Sequence, residues 1–135
     1  MLIDNKEKVF VLDGKEYHCA MDVTMDFIGG KWKTVVLWYL RKDKKRFSEL
    51  RRLIPNITEK MLSLQLKGLE NDGLVGRKIY PQVPPKVEYF LTEFGKSLIP
   101  MLEEIAKWGR DLAQSKGKMM DKAGNRKAKK RTSGR

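Results

Sequence analysis

A mainly helical α+β domain is what this sequence predicts, on three observations. Two helical stretches in the middle of the chain, 49–54 and 59–71, are separated by only a short break at Pro55-Asn56. Two runs of strand-like alternation, 74–80 and 86–92, follow at once around a proline-rich loop. A long amphipathic segment from 92 to about 115 then ends the fold. With 135 residues, 41% of them hydrophobic, the chain has enough material for one core.

Taken in order, residues 8–19 predict a hairpin, because Val9-Phe10-Val11-Leu12 runs into Asp13-Gly14, a pair that tolerates the positive φ of a tight turn. Residues 21–28 predict a helix closed by Gly29-Gly30. The segment 31–40 places Trp32, Val35, Val36 and Tyr39 at helical spacing, with Leu37, Trp38 and Leu40 widening the stripe, so burial on more than one side is expected. Asp43-Lys44-Lys45 predicts a polar turn, and Ser48 an N-cap for 49–54 with Leu50, Leu53 and Ile54 buried. Thr58 caps 59–71, whose Leu62, Leu66 and Leu69 share one face, while Lys60, Ser63, Leu64 and Lys67 project from the other. Asp72-Gly73 ends that helix, and Pro81 to Pro85 stiffens the loop between the strands. Thr92 caps the last helical segment, in which Pro100 predicts a kink or restart near 97–99.

The organisation expected is an N-terminal hairpin or arm at 1–20, a folded domain at 21–115, and a disordered basic tail at 116–135. The formal charge of +12 is uneven: the tail holds nine Lys or Arg against one acid. A basic balance favours a polyanionic partner, nucleic acid or an acidic membrane surface, without choosing between them. No apolar run approaches the roughly 18 to 20 residues a membrane span needs, and the N-terminus lacks the pattern of a secretory signal. A cytoplasmic location and no membrane partner are therefore expected. The single cysteine, Cys19, has no partner in the chain and fits a reducing compartment.

Two helices and a stiffened two-stranded ribbon in this order make a helix-turn-helix followed by a wing. In that arrangement the second helix enters the major groove of DNA and the ribbon reaches the neighbouring backbone or minor groove. Such a helix needs an apolar side as anchor and a short, polar, net-basic side to read DNA, and 59–71 has both. A solvated amphipathic helix would share the pattern.

The strings IGGKWKTVVLWYL, RFSELRRLIPNITEKMLSLQLKGLENDGLV and YPQVPPKVEYFLTEFGKSL resemble the HxlR-type family of winged-helix transcriptional regulators, within the wider MarR-like group. The resemblance covers about residues 19–109. It implies a bacterial-type regulator that binds double-stranded DNA as a homodimer on a near-palindromic operator, the long C-terminal helix serving dimerisation. The positions matching the dimer contacts are Phe27, Trp32, Tyr39, Leu98, Leu102, Ile105 and Trp108, each of which is equally readable as ordinary core. The matching DNA-binding positions are Thr58, Lys60, Ser63, Leu64 and Lys67 on the recognition helix and Arg77, Lys78 and Lys86 on the wing. Where the family commonly has a polar residue such as Gln, this chain has Leu64, which can offer only apolar contact, for instance to a thymine methyl.

Cys19 stands where the family typically has an N-terminal cysteine, a candidate redox or electrophile sensor. The usual following proline is Ala20 here. Sensing requires a thiolate, hence exposure and nearby positive potential; a buried small hydrophobe is the plainer reading. An oxidant or small molecule is thus the candidate effector. His18 has no metal-ligand spacing with any other residue, and no nucleophile-base pair or phosphate loop is present, so no enzyme, metal site or cofactor is expected. The alternative function is a winged-helix module for protein assembly or non-specific nucleic-acid binding.

Overall fold

A computed structural model gives the fold of residues 1–122. Most of the basic tail expected at 116–135 lies outside the described residues. The N-terminal arm holds two small antiparallel hairpins, β1 (Leu2–Ile3) with β2 (Lys6–Glu7) and β3 (Phe10–Leu12) with β4 (Lys15–Tyr17). Both turn through two residues of positive φ, Asp4-Asn5 (53° and 62°) and Asp13-Gly14 (50° and 79°), the backbone that matches strand twist. The second hairpin is as the sequence predicts; the first is an addition.

The second hairpin is clipped to α1 (Ala20–Ile28) by Asp26, whose carboxylate accepts from the Tyr17 hydroxyl at 2.5 Å and from Lys15 Nζ at 2.8 Å. The hydrogen bond from Lys15, then that from Tyr17, holds the Asp26 carboxyl below its ordinary range. At the end of α1, a Cβ on Gly29 would run into the Met25 carbonyl, and Gly30 has φ of 100°. That turn leads into α2 (Lys33–Leu40), which buries Val36, Leu37 and Leu40 and packs on the next two helices and on the strand Lys86–Leu91.

Next comes α3 (Phe47–Leu53), which starts earlier than Ser48 capping would allow. Its N-terminus is closed instead by Glu49, whose carboxylate accepts from the Arg46 backbone N–H at 2.8 Å, the reach-back half of a capping box. Leu50 and Ile54 are buried, but Leu53 faces outward, a correction to the expected core. The turn carries Asn56 at φ 68° and drops Ile57 into the core. Thr58 Oγ1 then accepts from the Met61 N–H at 3.0 Å, opening α4 (Glu59–Asn71). Leu62, Leu66 and Leu69 are buried along one side, each such side chain contributing about 1.5–3 kcal/mol.

Gly73, at φ 77°, passes the chain into β5 (Val75–Tyr80), which pairs antiparallel with β6 (Lys86–Leu91) in the register Val75 to Leu91 and Tyr80 to Lys86. Lys45 joins this ribbon: its N–H and carbonyl both bond to Tyr89, at 3.0 and 2.8 Å. The polar segment bends at Asp43 as expected, and its last residue, Lys45, adds a one-residue bridge to the ribbon. Thr92 caps α5 (Glu93–Lys96) by accepting from the Gly95 N–H at 3.0 Å. The helix restarts as α6 (Ile99–Lys116), with Pro100 in its first turn, where the missing N–H has no intrahelical role.

Internal packing divides the described residues into two units, Met1–Ile99 and the segment from Pro100 onward. The first holds the winged helix-turn-helix, α3 and α4 followed by the β5–β6 wing. In the second, the described part is the body of α6 and the non-helical residues 117–122 after it. Its Leu102 is buried, while Ile105, Trp108 and Leu112 are exposed in a line at helical spacing. Among the described residues, no helix is long and apolar enough to cross a membrane.

Candidate nucleic-acid interface

The buried leucines of α4 determine what its other side can present. Lys60, Ser63, Leu64 and Lys67 are all exposed, Leu64 at 54%. Among the described residues neither Lys60 nor Lys67 is held in an ion pair, so both ammonium groups are available to a polyanion. Thr58 is exposed at the helix start, its oxygen committed to the cap. Arg51 of α3 lies 3.8 Å from Glu59, tying the two helices across their turn.

The wing has two chemically distinct faces, set by its register. Lys78 opposes Glu88 and Tyr80 opposes Lys86, so these four share one side. There the Lys78 and Lys86 ammonium groups sit 5.0 and 4.8 Å from the Tyr80 ring centroid. The Tyr80 hydroxyl donates to Glu88 at 2.7 Å, and Lys44 and Lys86 each stand 3.8 Å from the same carboxylate. The Tyr80 hydrogen bond first, then Lys86, Lys44 and Arg46, hold the Glu88 carboxyl below its ordinary range against the opposing effect of burial. This face is a lysine cluster around one half-buried acid.

Arg77 belongs to the other face, a correction to its grouping with Lys78 and Lys86. It opposes Tyr89, and its Nε lies 3.0 Å from Glu70 Oε2 of α4. Between α4 and the wing is a polar cleft of about 400 Å³ lined by Ser63, Lys67, Glu70, Arg77 and Tyr89 among others. Burial and the Glu70 charge push the Tyr89 hydroxyl pKa up. Glu70 and Tyr89 are not among the DNA-binding positions that the sequence indicates. The signal for this grouping was the parity of the strand: Arg77 lies two residues from Val75, which is buried, and so shares its side.

The other candidates are scattered by comparison. Phe27 is half-buried and meets Phe94 edge-on at 5.8 Å. Trp32, Tyr39 and Leu98 are half-buried, with Lys31 over the Trp32 ring. Leu102 is buried within the single chain, whereas Ile105 and Trp108 are 47% and 71% exposed. Cys19 is half-buried at the N-cap of α1, beside a His18–Asp22 contact of 2.7 Å. Among the described residues, no group of three or more His, Cys, Asp or Glu is placed to hold a metal ion.

Comparison with known proteins agrees with this architecture. Residues 27–117 match the family described as HxlR-like helix-turn-helix. The chain is 57% identical over 95 residues to the HTH-type transcriptional regulator YkvN of Bacillus subtilis, covering 70% of this chain and 80% of that one. It is 53% identical over 95 residues to an HTH-type transcriptional regulator of Methanothermobacter thermautotrophicus, covering 70% and 72%. Among solved structures it is similar to the redox regulator HypR in its oxidized form, with a TM-score of 0.67, 52% identity, and coverage of 69% of this chain and 96% of that one. The chain belongs to the HxlR-like helix-turn-helix family and is a DNA-binding transcriptional regulator of winged-helix fold.

Proposed function

We propose that the protein acts as a homodimer that reads a near-palindromic operator, with α4 in the major groove and the wing on the adjacent backbone. One observation carries this reading: the exposed side of α4 is polar and net basic, with two lysines, Lys60 and Lys67, about the short Ser63, while its other side is anchored by buried leucines. An assembly module would need an apolar outer face there, and Leu64 alone provides one. Two copies related by a two-fold axis would address half-sites about 34 Å apart. Selection of binding sites from random duplex DNA tests it. A palindromic consensus is the expected result, and no enrichment over bulk DNA would refute the reading.

Reading and holding are separable. Ser63→Ala and Lys67→Ala should alter which bases the half-site tolerates, each lost base contact costing about 1 to 3 kcal/mol against the preferred sequence. Lys78→Ala and Lys86→Ala, on the lysine face, should instead weaken operator and scrambled duplex alike. Each lost phosphate contact should flatten the slope of log K against log salt by about 0.9. Titrations of both duplexes at several salt concentrations distinguish the patterns; uniform loss from the helix variants would put the reading element elsewhere.

A redox or electrophile response through Cys19 is the regulation we propose. Its support is the position of Cys19, half-buried and partly open to solvent at the N-cap of α1, together with the similarity to a redox regulator. A mild oxidant or quinone should change operator affinity in the wild type and leave Cys19→Ser unaffected; equal responses would discard the idea. With one cysteine per chain, any disulfide joins two subunits or adds a small thiol, and non-reducing electrophoresis separates the two. For a small-molecule effector, the apolar pocket of about 540 Å³ lined by Val23, Phe27, Leu74, Phe94 and Leu98 adjoins Asn71 and Asp72 at the end of α4.

A further inference from the structure

We infer that Arg77 belongs to the sequence-reading surface and that Glu70 is its positioning residue. The inference rests on the operator-reading function proposed above and assigns to it a residue pair at the junction of α4 and the wing. Three facts place the pair. Glu70 follows Ser63 and Lys67 at i+7 and i+3, so all three line one stripe of α4. The Glu70 carboxylate meets Arg77 Nε at 3.0 Å, with the Glu70 side chain 26% exposed and that of Arg77 48%, so the acid is partly withdrawn from solvent while the guanidinium stays open to it. Ser63, Lys67, Glu70 and Arg77 all line one cleft, whereas Lys78 and Lys86 stand around Tyr80 on the other face of the ribbon.

An arginine free on a wing samples many rotamers, and ordering it would subtract from the binding energy. Glu70 takes that ordering into the fold and leaves the remaining guanidinium N–H donors to face whatever enters beside Ser63 and Lys67. The arrangement also joins the wing to the recognition helix, so a half-site that fits one must fit the other. The opposite expectation comes from charge alone. An acid on a DNA-binding surface repels phosphates, and its removal should tighten binding to any duplex. Positioning and simple repulsion therefore predict changes of opposite sign, which makes the question decidable.

The test uses the full chain with Glu70→Gln, Arg77→Ala, the double variant and Arg77→Lys. The probes are the selected operator and a scrambled duplex across a salt series, with melting curves taken in parallel. Glu70→Gln should weaken operator binding about tenfold and change scrambled-duplex binding less than twofold. In the Arg77→Ala background the same change should weaken operator binding no further, because Glu70 acts through Arg77. Arg77→Lys keeps the charge but loses the planar fork, so it should lose operator affinity with an unchanged salt slope; it decides the matter if Glu70→Gln melts early. With operator preference intact in the wild type, tighter binding of Glu70→Gln to both duplexes, or independent losses from the two positions, overturns the inference alone. A wild type with no preference for the selected duplex overturns the inference and the function on which it rests.

Discussion

Gly95→Ala is expected to cost the winged-helix unit about 3 kcal/mol or more of stability, although alanine is the better helix former by about 1 kcal/mol. The reason is a single backbone contact. Gly95 is buried in α5, and a Cβ there would fall on the Leu74 carbonyl oxygen. Leu74 cannot yield easily: its N–H bonds to Leu69 O, and its carbonyl accepts from the Thr92 N–H, at 3.0 and 3.1 Å. Thr92 in turn donates its hydroxyl to Gly73 O at 2.6 Å. A shift to admit the methyl would disturb the α4 exit, the wing root and the α5 cap together. The same substitution at Gly68, inside α4, should act in the other direction. Its Cβ would meet only the end of the Lys33 side chain at 3.9 Å, so a gain of up to about 1 kcal/mol is expected. Urea denaturation followed by circular dichroism measures both. Equal effects at the two positions would mean that the Leu74 contact is not what fixes Gly95.

What the sequence made legible was whatever depends on local chemistry with a fixed period. The bounds of α4, its Thr58 cap and its buried leucines follow from helical spacing, and the restart before Pro100 follows from proline's missing N–H. The site was harder because it depends on pairing across the chain. The Lys45–Tyr89 bridge joins residues far apart in sequence, and a one-residue strand has no alternation to announce it. Arg77 was placed with its sequence neighbour Lys78, although adjacent strand residues point to opposite faces; the buried Val75 fixes the parity. Leu53 fits the helical stripe of α3 but ends the helix as the chain turns away, and so stays outside the core. Ser48 is a good capping residue by type, yet the Glu49 carboxylate reaching back to Arg46 starts the helix earlier.

Trp108→Asp combined with Ile105→Asp is expected to turn the proposed dimer into a monomer and to lower operator affinity by roughly two to four orders of magnitude. The single chain leaves Ile105, Trp108 and Leu112 exposed at 47%, 71% and 40%, an apolar line along α6 that water solvates poorly. Covering a tryptophan removes on the order of 150–250 Å² from water. At about 25 cal/mol per Å², most of that area is worth roughly 3 kcal/mol per copy, and a two-fold interface counts it twice. A loss of about 5 kcal/mol changes an association constant by between 10³- and 10⁴-fold, before the cost of burying the new carboxylates is added. Because both side chains are exposed in the single chain, the monomer should keep its helical signal. DNA binding then separates the effects. A dimer binds its second half-site at high effective concentration, an advantage of about 10²–10⁴, so affinity for the full operator should fall while affinity for an isolated half-site stays the same. Glu103→Ala, one turn earlier and on the opposite side of α6, should leave both mass and affinity unchanged. Sedimentation and titration of both duplexes measure the outcome; a double variant that remains dimeric with full operator affinity would place the dimer contact elsewhere.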